Sequence, residues 1–205
     1  MKGKSLERLK QDCIAFFKDI FKEEYRIVVF GEGNAKARLV LVGEAPGEQE
    51  TIQQRPFVGP AGKNLDEFLE ILKIRREDLY LTNVVKFRPF KTHPDTGRLS
   101  NRPPSREEID LCISWLYKEL LLIQPDVVVT LGNYALKAIS GNAKANIGQF
   151  HGRPMPFTIP DHKFSCTLFP LYHPASIIYK RELKETYLQD LAILQEYFRE
   201  RGFYD

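Results

Sequence analysis

Short apolar runs alternating with amphipathic stretches predict an α/β protein, a three-layer α/β/α sandwich around a central, mainly parallel sheet. Three observations carry this. The runs at 39–42, 79–85, 126–131 and 164–171 are strand-length and largely apolar, as strands covered on both faces are. Between them lie segments whose apolar residues recur three and four apart, the helical period. The first run stops at Gly43 in a loop of glycines, prolines and acids before a helix opens near Ala61. Open α/β sheets place ligands in such loops, at the carboxyl ends of strands.

Each element has its own signal. Leu6, Leu9, Cys13, Phe16, Phe17 and Ile20 mark an amphipathic helix over about 4–23. Strands follow at 26–30 and 38–42, separated by the turn Gly31-Glu32-Gly33-Asn34. Leu65, Phe68, Leu69 and Leu72 define a helix face, 79–85 the next strand, and 87–104 a turn-rich segment. Ser105-Arg106-Glu107-Glu108 is a capping box and starts a helix running to about Ile123. A buried strand at 126–131 leads through Gly132-Asn133 into a helix carrying Ala135, Leu136 and Ile139. A last strand at 164–171 and a last helix at 183–198 complete the chain. No repeat, low-complexity segment or linker interrupts it, so residues 1–205 are expected to form a single domain.

Composition narrows the function classes. The 205 residues are 28% charged and 43% hydrophobic, with a net charge of +3, ordinary for a globular protein. No apolar run approaches the ~20 residues of a membrane span. Lys10, Asp12, Lys18 and Asp19 interrupt every candidate leader segment, so none is expected. Three scattered cysteines favour a reducing, cytoplasmic setting. The positive charge is concentrated: Lys86, Arg88, Lys91, Arg98, Arg102 and Arg106 face one acid, Asp95, over 86–106. Such a patch suits phosphate contacts, although a solvated loop has the same composition. The four histidines form no HxxxH pair and the cysteines no CxxC, against a zinc deaminase. The loop after Val42 matches neither a P-loop nor GxGxxG, and its carboxylates would repel a phosphate.

Candidate site residues gather at three strand ends. The loop 43–62 offers Glu44 and Glu50, a lone aromatic Phe57, and glycines that let backbone N–H groups approach a ligand. Asn83 interrupts an otherwise apolar strand, and His173 follows the last strand in Tyr172-His173-Pro174-Ala175-Ser176. Taken singly, an asparagine or histidine in such a place is more often structural.

Together these motifs carry a specific resemblance. Gly-Glu-Ala-Pro-Gly-Glu at 43–48, Pro-Phe-Val-Gly-Pro-Ala-Gly at 56–62, Thr82-Asn83-Val84-Val85-Lys86, Asn101-Arg102-Pro103-Pro104 and His173-Pro174-Ala175 resemble the family-4 uracil-DNA glycosylases, in family order over nearly the whole chain. The resemblance implies hydrolysis of the N-glycosidic bond of uracil flipped from single- or double-stranded DNA, leaving an abasic site. In that reading Asn83 reads the uracil edge, since an amide offers one donor and one acceptor to O4 and N3–H, and cytosine presents the opposite pattern. His173 donates to O2 as charge builds on the leaving base, Phe57 stacks on it, and backbone N–H groups near Gly43 and Ala45 assist. Ala45 stands where the best-known uracil enzymes hold a water-orienting aspartate, which leaves Glu44 and Glu50 as candidates for placing water or stabilising the sugar cation. Gly47 stands where those enzymes carry a tyrosine that excludes thymine, so rejection of thymine is less secure than that of cytosine. Broader scope, on hypoxanthine or mismatched thymine, and DNA binding without turnover are the rival readings. Lys86, Arg88, Lys91, Arg98 and Arg102 are expected to meet the DNA backbone. Ser176 would meet a phosphate, while Ile177, with Ile178 or Tyr179, would wedge into the duplex. A monomer is expected.

One departure concerns a cofactor. Family members typically hold a 4Fe–4S cluster on four cysteines. Here Lys86-Phe87-Arg88-Pro89 replaces the Lys-Cys-Arg-Pro ligand, and the N-terminal CxxC falls on Phe16 and Asp19, with Cys13 one turn earlier. Only Cys112 sits at a ligand position, and Cys166 reads as a core residue. The expectation is therefore no cluster, no other metal and no cofactor, with Phe16 and Phe87 filling the volume. A second departure is the basic insertion at 90–100.

Overall fold

The computed structural model describes residues 2–22, 24, 26–179 and 182–203, and the side chains of these except 2–4 and 177–179. Helix α1 (Lys2–Ile20) is followed by β1 (Glu32–Gly33), β2 (Leu39–Gly43), α2 (Glu48–Gln53), α3 (Pro60–Leu72) and β3 (Tyr80–Asn83). A hairpin of β4 (Phe90–Thr92) and β5 (Leu99–Asn101) precedes α4 (Arg106–Ile123), β6 (Val127–Leu131) and α5 (Gly132–Ser140). The chain continues through α6 (Ile147–Phe150), β7 (Met155–Thr158), β8 (Ser165–Leu171), α7 (Pro174–Tyr179) and α8 (Leu183–Glu200).

The main sheet has the order β1-β3-β2-β6-β8-β7. Its four central strands are parallel, and the edge strands β1 and β7 are antiparallel. Strand periodicity divides the core. Val40, Val42 and Val128 face one layer with Phe17, Cys112, Leu116 and Leu136, from α1, α4 and α5. Leu39, Leu41, Val127 and Val129 face the other with Leu65, Phe68, Leu191 and Leu194, from α3 and α8. The predicted three-layer α/β sandwich is the observed one. The capping box is also as read: Ser105 Oγ accepts from Glu108 N, and Glu108 returns the bond to Ser105 N at 2.8 Å.

Several local expectations fail for physical reasons. Residues 26–30 form no strand; Val29 N donates to Lys86 O, but Arg26 is drawn towards α4 by Glu108. Pairing occurs instead within the expected turn, at Glu32–Gly33. On α1, Leu6, Cys13 and Phe17 are buried, while Phe16 and Ile20 are exposed, because the helix packs beside α4 along a narrower stripe than its apolar content suggests. The loop after Gly43 contains α2, and strand β7 escaped notice because it is short, carries Pro156 and lies at an edge, where proline is tolerated. Among the described residues no helix is long and apolar enough to cross a membrane.

Candidate active site

The carboxyl ends of β2, β3, β6 and β8 open into one cavity of about 800 Å³. Glu44, Ala45, Glu50, Phe57, Asn83, His173 and Ser176 line it, so loops separated by more than a hundred residues meet there. Gly43 stands behind the wall. It pairs in register with Asn83, and a Cβ on it would overlap both Asn83 Oδ1 and the Phe57 ring. The absent side chain is what lets the amide and the ring share one floor.

Asn83 is the last residue of β3 and only 4% exposed. Phe57 is buried, and its backbone is left-handed at φ 54°. That conformation costs an aromatic residue ~1–3 kcal/mol, so the surroundings must enforce it. Arg76 donates to the carbonyls of Pro56 and Phe57 while paired with Asp66, and Gly62 leaves room beneath the Phe57 carbonyl.

The two acids part company. Glu50 accepts from Gly47 N at 3.1 Å and from Gly59 N at 2.7 Å, tying the start of α2 to the start of α3. Its oxygens are committed to shaping the loop. Glu44 has no such partners among the described residues, and burial pushes its carboxyl up to about 7. Around Gly47 the space is occupied by Glu50 Oε2 and Asn101 Nδ2.

The His173 ring is set by its own loop. Ala175 N donates to Nδ1 at 3.2 Å, and burial lowers the imidazole pKa. The ring is therefore neutral, with its proton on Nε2. A donor without formal charge lines the cavity. Residue 177 belongs to α7, but its side chain lies outside the described residues, as do Lys180 and Arg181, so the wedge assignment finds no structural support here.

The basic residues also divide. Lys86 cannot be the DNA contact expected of it: it is fully buried and paired with Glu119 inside the protein. Arg102 is likewise committed inward, to Glu108 through both guanidinium ends and to Phe90 O. Arg88 donates to Asn101 Oδ1 and Glu48, positioning Asn101 at the cavity rather than reaching outward. Lys91 and Arg98, on the β4–β5 hairpin, remain exposed with no ion pair among the described residues. Asn101, Tyr134 and Tyr172 line the cavity and were not singled out from sequence. Asn101 sat in a recognised motif block, but nothing local separated its side chain from the neighbouring arginine.

The cysteines occupy two places. Cys13 and Cys112 lie together behind β3, and burial raises their thiols to about 12 and about 11. Cys166 is on β8, paired with the far edge of the sheet, and is raised to about 12 by burial. Phe87 is packed by Phe17 and Phe21, with ring centroids 5.4 and 5.0 Å away. The partner foreseen for Phe87, Phe16, instead leans on Trp115 at the surface.

The sequence profile of the Uracil DNA glycosylase superfamily matches residues 30–192. The chain is 38% identical to a type-4 uracil-DNA glycosylase of Thermotoga maritima over 85% of each chain. It is 37% identical to one of Archaeoglobus fulgidus, over 81% of this chain and 79% of that one. A third, from Sulfurisphaera tokodaii, is 35% identical over 94% and 84%. These relatives overturn the expectation of a cofactor-free protein, because they carry the type-4 designation of the family whose resemblance implies a 4Fe–4S cluster. The described residues do not fit a four-thiolate set: two of the three thiols adjoin, the third lies on β8, and no group of three or more metal-binding side chains is found among them. On the length of the match and the identity to these relatives, the chain belongs to the uracil-DNA glycosylase superfamily and to its type-4 branch.

Proposed function

We propose that this protein is a monofunctional uracil-DNA glycosylase, hydrolysing the N-glycosidic bond of uracil in DNA and leaving an abasic site. The observation that carries this reading is a buried amide, Asn83, and a neutral Nε2–H donor, His173, lining one cavity with the Phe57 ring. The amide meets the O4 and N3–H edge, where uracil and cytosine differ in donor and acceptor order; a wrong base leaves buried polar groups unpaired. The neutral imidazole donates to O2, on which negative charge grows as the bond to the sugar lengthens. A preorganised donor of this kind is typically worth ~10²–10³ in rate. Phe57 offers a stacking face, which contributes ~1–3 kcal/mol per base.

Glu44 is the acid we assign to the attacking water. Its oxygens have no partner among the described residues, whereas each Glu50 oxygen accepts from a backbone N–H and holds the loop. As a carboxylate, Glu44 would accept a proton from water and offset the positive charge on the sugar. Two features support release without strand cleavage: no lysine lines the cavity among the described residues, and Lys86, the lysine nearest Asn83 in sequence, has all three ammonium protons engaged elsewhere. Lyase chemistry requires an amine nucleophile. The substrate is uracil-containing DNA, single- or double-stranded, met by a monomer through Lys91, Arg98 and the cavity rim.

The test is a gel assay on labelled oligonucleotides bearing U, hypoxanthine or T opposite G, with and without alkali. Cleavage of the U strand only after alkali is the expected result. Release of hypoxanthine or thymine at the rate of uracil would replace this reading with a broader glycosylase. Binding without release would replace it with a recognition module.

A further inference from the structure

Behind Asn83, a set of polar side chains is buried that the proposed reaction does not use. Lys86 and Glu119 form an ion pair with no solvent exposure on either side chain. The ammonium carries three protons and has three acceptors: Glu119 Oε2, Thr82 Oγ1 at 2.7 Å and the main-chain carbonyl of Asn83 at 2.8 Å. Glu119 in turn accepts from Tyr80 Oη at 3.0 Å, Thr82 Oγ1 at 3.0 Å and Gly31 N at 3.2 Å.

A fully buried ion pair is weak evidence for stability, because apolar residues of similar volume often serve as well or better. What distinguishes this pair is the carbonyl it holds. The peptide leaving Asn83 is pinned at both polar ends: its oxygen accepts from Lys86, and its N–H, that of Val84, donates to Gly43 O at 3.0 Å. Asn83 itself pairs with Gly43 in the β2–β3 ladder. With that peptide plane fixed, the backbone from which Asn83 projects its amide is fixed as well.

We infer that Lys86, held by Glu119, is a positioning residue for Asn83, aiming the amide at the base edge. The inference rests on the reading of Asn83 as the uracil-reading group. Its consequence is kinetic, since a misplacement of about 1 Å in a reacting constellation can cost ~10²-fold in rate.

The test is the double variant Lys86→Met, Glu119→Gln, which removes both charges together and leaves neither stranded. Its uracil release under single-turnover conditions is compared in the otherwise native protein and in Asn83→Ala. The expected result is a loss of ~10-fold or more in the native background and of less than about twofold in Asn83→Ala, the non-additivity of residues acting through one another. Equal losses in both backgrounds overturn the inference and make the pair a stability element. A second readout needs no activity: the side-chain ¹⁵NH₂ resonance of Asn83, assigned by its disappearance in Asn83→Ala. It should shift and broaden in the double variant, and an unchanged resonance overturns the inference. If native protein releases no uracil, the functional reading fails and the resonance alone decides the positioning role. Should the double variant not fold, Thr82→Val, which removes one of the three acceptors, is put through the same two comparisons with the same criteria.

Discussion

The carboxyl end of β3 and its side towards α4 are flanked by buried polar groups used in opposite ways. Towards the cavity, Glu44 and His173 Nε2 keep hydrogen-bonding capacity that the protein does not fill, and burial shifts both towards their neutral forms. Towards α4, Lys86, Glu119, Thr82 and Tyr80 satisfy one another, and the rest of that layer is packed by Phe17, Phe21 and Phe87. Both faces are desolvated, so burial alone does not mark a functional site. Among the groups lining the cavity, unfilled capacity marks the ones that can act, because only a group with a free donor or acceptor can engage a ligand. A related contrast separates the two acids of the first loop, where both Glu50 oxygens are engaged by backbone donors and those of Glu44 are not among the described residues.

The sharpest way to break this comparison is to open the saturated face. Glu119→Ala strands the Lys86 ammonium and leaves the partners from Tyr80, Thr82 and Gly31 unfilled, so stability should fall by about 3–5 kcal/mol. Urea denaturation measures it, and a loss below about 1 kcal/mol would show that the network is not closed as described.

The cavity face should respond in rate and not in stability. His173→Ala is expected to lower single-turnover uracil release by ~10²–10³ while the thermal midpoint stays near that of the native protein. A large drop in midpoint together with a small loss of rate would turn His173 into a packing residue.

Glu44 sharpens the contrast through pH. Its carboxyl is raised from 4.5 to about 7, so the folded protein binds more protons than the unfolded chain between those values. Stability contributed by this group is present at low pH and lost as pH rises through about 7. Glu44→Gln should remove that dependence. It should also abolish the rising limb of the rate profile centred near 7, where the native carboxylate forms. An identical rising limb in the variant would hand the water to another group.

The smallest effect is expected outside both faces, on the hairpin. Replacing Lys91 and Arg98 by Ala should flatten the dependence of log K on log[salt] for duplex DNA by up to ~0.9 per lost phosphate contact. An unchanged slope would leave the β4–β5 hairpin as a solvated feature.

Much of this was legible in the chain itself. Apolar runs of strand length, helical spacing and the Ser105–Glu108 box are local signals, governed by neighbours a few residues away, and they determined the layered sheet, its four central strands and its long helices. Asn83, His173, Phe57 and the acids could be named because they stand in motifs at strand ends. Tertiary structure alone decided what each one is free to do. Lys86 and Arg102 read as surface cations because charge and spacing are all a sequence displays; their acceptors, Glu119 and the side chain of Glu108, come from a helix packed across them. Glu44 and Glu50 were indistinguishable for the same reason, until Gly47 and Gly59 donated to one and not the other. Composition sets which side chains can bond, but the folded neighbours settle which of them already have.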